Sequence, residues 1–187
     1  MVGAAGILTA FGLSASAGLN AYIPLLIVAI MARLGAFELS EPWNALESWW
    51  AIGALVVLAL IEFFVDKIPA VDTVNDVIQT FIRPTAGAIL FAASASVVTE
   101  VSPVLSLILG LLVAGSVHAG KTTVRPMITA TTAGIGNPVV STVEDVASTA
   151  LALLAVVLPW LVLLVATTGI VIFLVWRLRR RAKAQNP

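Results

Sequence analysis

Long uncharged runs alternate with short polar clusters along this chain. Val2 to Ala32 carries no charge, and Asn20 is its one strongly polar side chain. Trp49 to Ile61, Thr85 to Thr99, Val101 to Val117 and Val146 to Trp176 are also apolar, bounded by Glu62, Glu100, His118 and Arg177. A bilayer core about 30 Å thick takes about 20 apolar helical residues. The runs therefore predict membrane-spanning helices. The stretch Pro126 to Val143 is uncharged but rich in Thr, Gly, Asn and Pro. It reads either as a sixth span or as a re-entrant hairpin.

Composition agrees with this pattern. The set AVILMFWYC makes up 60 % of 187 residues and charged residues 11 %, against about 25 % charged in a soluble domain. A soluble fold of this size has too much surface to hide that much apolar side chain. The absence of cysteine excludes a disulfide scaffold or a thiolate metal site. Ten basic residues balance ten acidic ones. That balance argues against nucleic acid as a partner, because phosphate binding needs excess Lys and Arg.

Basic loops stay in the cytoplasm. The tail 177–187, with Arg177, Arg179, Arg180, Arg181 and Lys183, therefore marks the inner face. Counting back with six spans, near 4–32, 49–66, 84–99, 102–120, 126–143 and 146–176, leaves both termini inside. Lys67, Arg83, Lys121 and Arg125 then fall inside, and Glu144 and Asp145 outside. Nine of the ten basic residues lie on the cytoplasmic face, Arg33 being the exception. No Lys or Arg precedes the first apolar run, and it continues past Ala15-Ser16-Ala17, so a cleaved signal peptide is not expected.

Trp43, Trp49 and Trp50 suit an interfacial aromatic belt. Between Lys67 and Arg83, Val71, Val74, Val77, Ile78, Phe81 and Ile82 recur at helical spacing, with Asp72, Asn75, Asp76, Gln79 and Thr80 opposite. This predicts an amphipathic helix packed on the protein at the inner surface, started by Pro69 and ended by Pro84. Arg83-Pro84 and Arg125-Pro126 each open a segment that closes on carboxylates. This suggests two repeated hairpins of the same orientation. A second echo links Ser16-Ala17-Gly18-Leu19-Asn20 to Thr132-Ala133-Gly134-Ile135-Gly136-Asn137-Pro138. Both predict interrupted helices, which are tolerated in a membrane where they line a cavity and which mark transporter sites.

Ionisable residues near membrane depth are costly and need partners. Glu62 and Asp66 share a helical face, as do His118, Lys121 and Arg125. With Lys67, Asp76 and Arg83 they form a candidate network at the inner ends of the spans. That network reads either as a structural ion-pair belt or as a gate for an anionic group or a coupling proton. Asn20, Gly136 and Asn137 are candidates for a central site, and Glu144 and Asp145 for its external counterpart. No nucleophile–base pair, phosphate loop or metal-ligand set is present, so neither an enzyme nor a metal or other cofactor is expected.

Gly18-Leu19-Asn20-Ala21-Tyr22-Ile23-Pro24, Glu62 to Pro69, Asp72 with Asn75-Asp76, and Ile82-Arg83-Pro84 resemble an uncharacterised bacterial membrane family. So do His118 with Lys121 and Arg125, Gly136-Asn137-Pro138, and Ser141 to Asp145. That family is known as domain of unknown function 4126. The resemblance covers about Gly12 to Val146. It implies an integral protein of the bacterial cytoplasmic membrane and supplies no activity. The sequence thus predicts an all-α polytopic bundle. The expected function is a secondary transporter or permease for an ion or small anionic solute, working as a homodimer in the lipid bilayer. The rival is a membrane scaffold or accessory subunit.

Overall fold

The computed structural model describes residues 2–94 and 101–185. Seven α-helices account for most of them. They are α1 (Val2–Leu19), α2 (Tyr22–Arg33), α3 (Trp49–Val65), α4 (Pro69–Ala93), α5 (Pro103–Thr132), α6 (Asn137–Val157) and α7 (Pro159–Gln185), with a 3-10 turn at Trp43–Glu47. Three stretches, Pro103–Thr132, Asn137–Val157 and Pro159–Arg179, are long and apolar enough to cross a membrane. The expected outer end of the third span, at Glu100, lies outside the described residues.

The distribution of side chains is that of a protein in lipid. The exposed surface carries Val57, Phe64, Val74, Phe81, Leu112, Val139 and Val146, while Arg83, Glu62, Asp66, Lys121 and Arg125 are buried. Helix α4 shows the inversion most clearly. The apolar face of the expected amphipathic helix, Val71, Val74, Val77, Ile78 and Phe81, is exposed, while Asn75, Asp76 and Gln79 of its polar face turn inward and the exposed Thr80 bonds His118. In hydrocarbon the polar face must find partners within the protein.

The single span expected over 4–32 does not form. The chain breaks at Asn20, as the Gly-Asn pattern predicts, and then doubles back. Phe11 meets Phe91 near the end of α4, while Ser14 donates to Gly87 O and Leu25 lies beside Ile82 and Ala86. Arg33 then stacks on Trp49 at the first end, 4.9 Å from the ring centroid. Thus α1 runs from the Trp49 end into the bundle and α2 runs out again. Asn20 Oδ1 accepts the N–H groups of Tyr22 (3.0 Å) and Ile23 (3.1 Å), which caps α2.

Two prolines expected at helix ends lie inside helices. Pro84 is within α4 and Pro126 within α5. Each removes one backbone hydrogen bond, which a membrane helix tolerates when neighbours and Ser or Thr side chains compensate. Consequently 103–132 is one helix of 30 residues, about 45 Å long at 1.5 Å per residue. It ends at Ala133 and Gly134, both with positive φ (50° and 83°), and α6 returns alongside it. Residues 126–143 therefore form a helix–turn–helix tip. The run 146–176 is divided at Leu158–Pro159.

Helices α4 and α5 are antiparallel, with Phe91 against Gly110, Gly87 against Ala114, and Thr80 against His118. The segments after Arg83-Pro84 and Arg125-Pro126 therefore run in opposite directions, and hairpins of the same orientation do not form. The crossing is tight. A Cβ at Gly110 would strike Gly87 O, and one at Gly18 would come within 2.6 Å of Ala114 O. Small residues allow this backbone approach, which drives helix association in lipid. Buried serines add hydrogen bonds: Ser16 donates to Ser148 O at 2.8 Å.

Candidate functional site

Three helix reversals converge on one region: Asn20 between α1 and α2, Asp66–Ile68 between α3 and α4, and the α5–α6 hairpin. Glu62 lies in the last turn of α3, and Asp66, four residues on, is its C-cap. On α4, Asp76, Thr80 and Arg83 follow at spacings of four and three. On α5, His118, Lys121 and Arg125 follow at spacings of three and four. Residue 125 lies seven before the last residue of α5 and residue 144 seven after the first of α6. The hairpin therefore sets Arg125 level with Glu144.

The result is a chain of alternating charge. Arg83 Nη2 lies 2.8 Å from Glu62 Oε1 and 3.8 Å from Asp66 Oδ2. Arg125 Nη2 is 3.7 Å from the same Asp66 oxygen and 2.8 Å from Glu144 Oε2. Lys121 Nζ is 2.9 Å from that Glu144 oxygen and donates to Leu19 O at 3.3 Å. Asp76 Oδ2 joins Arg125 Nη1 at 3.4 Å. Asp66 also accepts from Asn75 Nδ2 at 2.8 Å. Buried charges persist when each is paired and hydrogen-bonded in this way.

Glu144 and Asp145 therefore do not lie on the face opposite Lys121 and Arg125. They belong to the same cluster, because α6 returns beside α5 instead of starting a new span there. Asp145 Oδ1 accepts from Asn20 Nδ2 at 3.0 Å, tying the α1–α2 reversal to α6.

His118 is held at both ring nitrogens. Arg83 Nη1 lies 3.4 Å from Nδ1, and guanidinium only donates, so Nδ1 accepts. Nε2–H then donates to Thr80 Oγ1 at 3.1 Å, while the Thr80 hydroxyl proton goes to Asp76 O at 2.9 Å. The geometry assigns a neutral imidazole that orients Arg83 and Thr80.

A cavity of about 570 Å³ opens beside this network, between α4 and α5 and reaching the start of α6. Asp76, Thr80, Thr122, Arg125, Thr129 and Asn137 supply its polar groups, and Val77, Pro126 and Ala130 its apolar ones. Asn137 is buried and its Oδ1 accepts from Thr129 Oγ1 at 3.0 Å. The site combines a cation, a carboxylate, hydroxyls and an amide at one wall. That is a set able to hold a small polar or charged solute.

Sequence reasoning over-assigned two positions. Lys67 is outside the network, donating to Phe63 O at 3.0 Å with its ammonium 3.2 Å from the Phe63 ring centroid. Gly136 shapes the turn: its N–H donates to Thr132 Oγ1, and a Cβ there would come within 2.9 Å of that oxygen. Thr122 and Thr129 were missed. Their spacing of three and four around Arg125 was the available signal.

The chain belongs to the family described as a domain of unknown function (DUF4126), whose model matches residues 7–181. No curated protein and no solved structure matches it. Membership of DUF4126 extends the resemblance from α1–α6 into α7, so the last helix is part of the family unit.

Proposed function

We propose that this DUF4126 protein is a small permease or secondary transporter for an ion or small anionic solute. The observation that carries the reading is the cavity walled by Asp76, Arg125 and Asn137 with a buried charge network behind it. A network built only to fix helices needs no such opening. The Asp76–Arg125 pair, at 3.4 Å, is the gate in this reading. An entering anionic group takes the place of Asp76 on the guanidinium, which suits fork-shaped recognition of carboxylate or phosphate. The release of Asp76 frees α4 to move against α5.

In this topology the basic tail lies in the cytoplasm of a bacterial inner membrane. In this reading the α1–α2 hairpin enters and leaves from the Trp49 side, and the amino terminus lies on that side. The α5–α6 tip is the second re-entrant element. Paired reversals at a polar site are a transporter feature.

Flux in proteoliposomes over a panel of ions, small carboxylates, phosphate and lipid-linked phosphates tests the proposal. Flux of one class, lost in Asp76→Asn and Arg125→Lys with the protein still folded, supports it. No flux of any class, with Asp76→Asn instead abolishing capture of a partner protein, favours the scaffold reading.

A further inference from the structure

We propose that Asp145 is the group that takes up and releases a proton in this protein, with Asn20 as its positioning residue. The inference rests on the transport reading for its purpose and on separate observations for its chemistry.

Among the described side chains the cluster holds five carboxylates, Glu62, Asp66, Asp76, Glu144 and Asp145, against Arg83, Lys121 and Arg125. His118 is neutral by its hydrogen bonds. Five carboxylates against three cations leave negative charge unmatched among these described groups, and an unmatched charge in a low-dielectric interior is costly.

Geometry then singles out Asp145. Glu144 and Asp66 are each shared between two cations, Glu62 is paired with Arg83 at 2.8 Å, and Asp76 with Arg125. No ion pair reaches Asp145 among the described residues. Its Oδ1 accepts from Asn20, and its Oδ2 is buried without a hydrogen-bond partner. Asp145 and Asn20 are the polar residues of a second cavity of about 240 Å³. The rest of the lining is apolar: Ile23, Leu26, Val56 and Leu60, with Ala59 and Phe63.

That lining selects the cation. A metal ion needs several oxygen ligands, and this wall offers little beyond one free carboxylate oxygen. A proton needs one. The step is formation of an O–H bond at Oδ2 with a proton from water, converting the carboxylate to the neutral acid; release reverses it. The charged groups acting on Asp145 are Asp66 and Lys67 from the α3–α4 turn and Lys121 from α5, and Glu144 precedes it on α6. Asn20 caps α2 with its oxygen and holds Asp145 with its nitrogen, so the proton's arrival is coupled to the α1–α2 reversal.

Infrared difference spectroscopy of the lipid-reconstituted protein across a pH titration tests this. The expected result is a protonated-carboxyl band that appears and disappears reversibly. It should shift when the wild-type protein carries carbon-13 aspartate, and it should be absent in Asp145→Asn, which keeps an oxygen for Asn20 to donate to. Asn20→Ala should move the band's frequency without removing it. A band insensitive to aspartate labelling, or retained in Asp145→Asn, overturns the proposal. A band that behaves as expected in a protein without flux leaves the proton site standing and removes the transport reading.

Discussion

The two ends of this bundle are held together by opposite means. Toward the Trp49 end, α1, α4, α5 and α6 meet through Gly12, Gly87, Gly110, Ala155 and buried serines, with backbones in near contact. Toward the helix reversals, the same helices meet through Arg83, Arg125, Lys121 and their carboxylates. Small residues make a contact that has one arrangement. Ion pairs that share oxygens make a contact that can exchange partners. In the transport proposal, that difference divides the same helices into a fixed part and a part that rearranges.

Mutations should separate the two. The largest effect is expected for Arg83→Met, which leaves Glu62 and Asp66 buried without their cation and should cost about 3–5 kcal/mol. Adding Glu62→Met should recover much of that loss in denaturant titrations in detergent. At the other end, Gly110→Val forces a side chain against Gly87 O and Phe91. It should cost about 1–3 kcal/mol and broaden the size-exclusion peak, with no rescue by any charge change. Asn20→Ala removes the α2 cap and should cost about 1 kcal/mol, read as a lower Tm. Lys67→Ala should change stability by less than about 1 kcal/mol, because its ammonium reaches one carbonyl and one exposed ring. If Lys67→Ala proves as damaging as Arg83→Met, the division between network and surface fails.

Much of this was legible in the sequence. The uncharged runs gave the helical class, the Gly-Asn pattern gave the break at Asn20, and helical spacing grouped Glu62 with Asp66 and His118 with Lys121 and Arg125. The direction of the chain after Asn20 was not legible. It depends on contacts 102 and 125 residues away in sequence, Lys121 to Leu19 O and Asp145 to Asn20. Pro84 and Pro126 misled because rules for helix ends come from soluble proteins, where a broken backbone bond finds water. The expected separation of Glu144 and Asp145 from Lys121 and Arg125 failed for a related reason. The charge count treats Lys and Arg as loop charges, but Arg83, Lys121 and Arg125 are buried in ion pairs and report packing instead of sidedness. Glu144 and Asp145 were misplaced as a consequence.

In the transport proposal the Asp76–Arg125–Asn137 cavity is an aqueous site inside a membrane protein, while the small-residue crossing is sealed. The chain contains no cysteine, so single cysteines can be placed without background. Thr129→Cys, in the cavity wall, and Ser14→Cys, in the crossing, should be compared in intact proteoliposomes with a charged, membrane-impermeant thiol reagent added from each side. Thr129→Cys should be labelled, more slowly in the presence of a transported solute, and Ser14→Cys should not. An unlabelled Thr129→Cys from both sides would contradict the transport proposal.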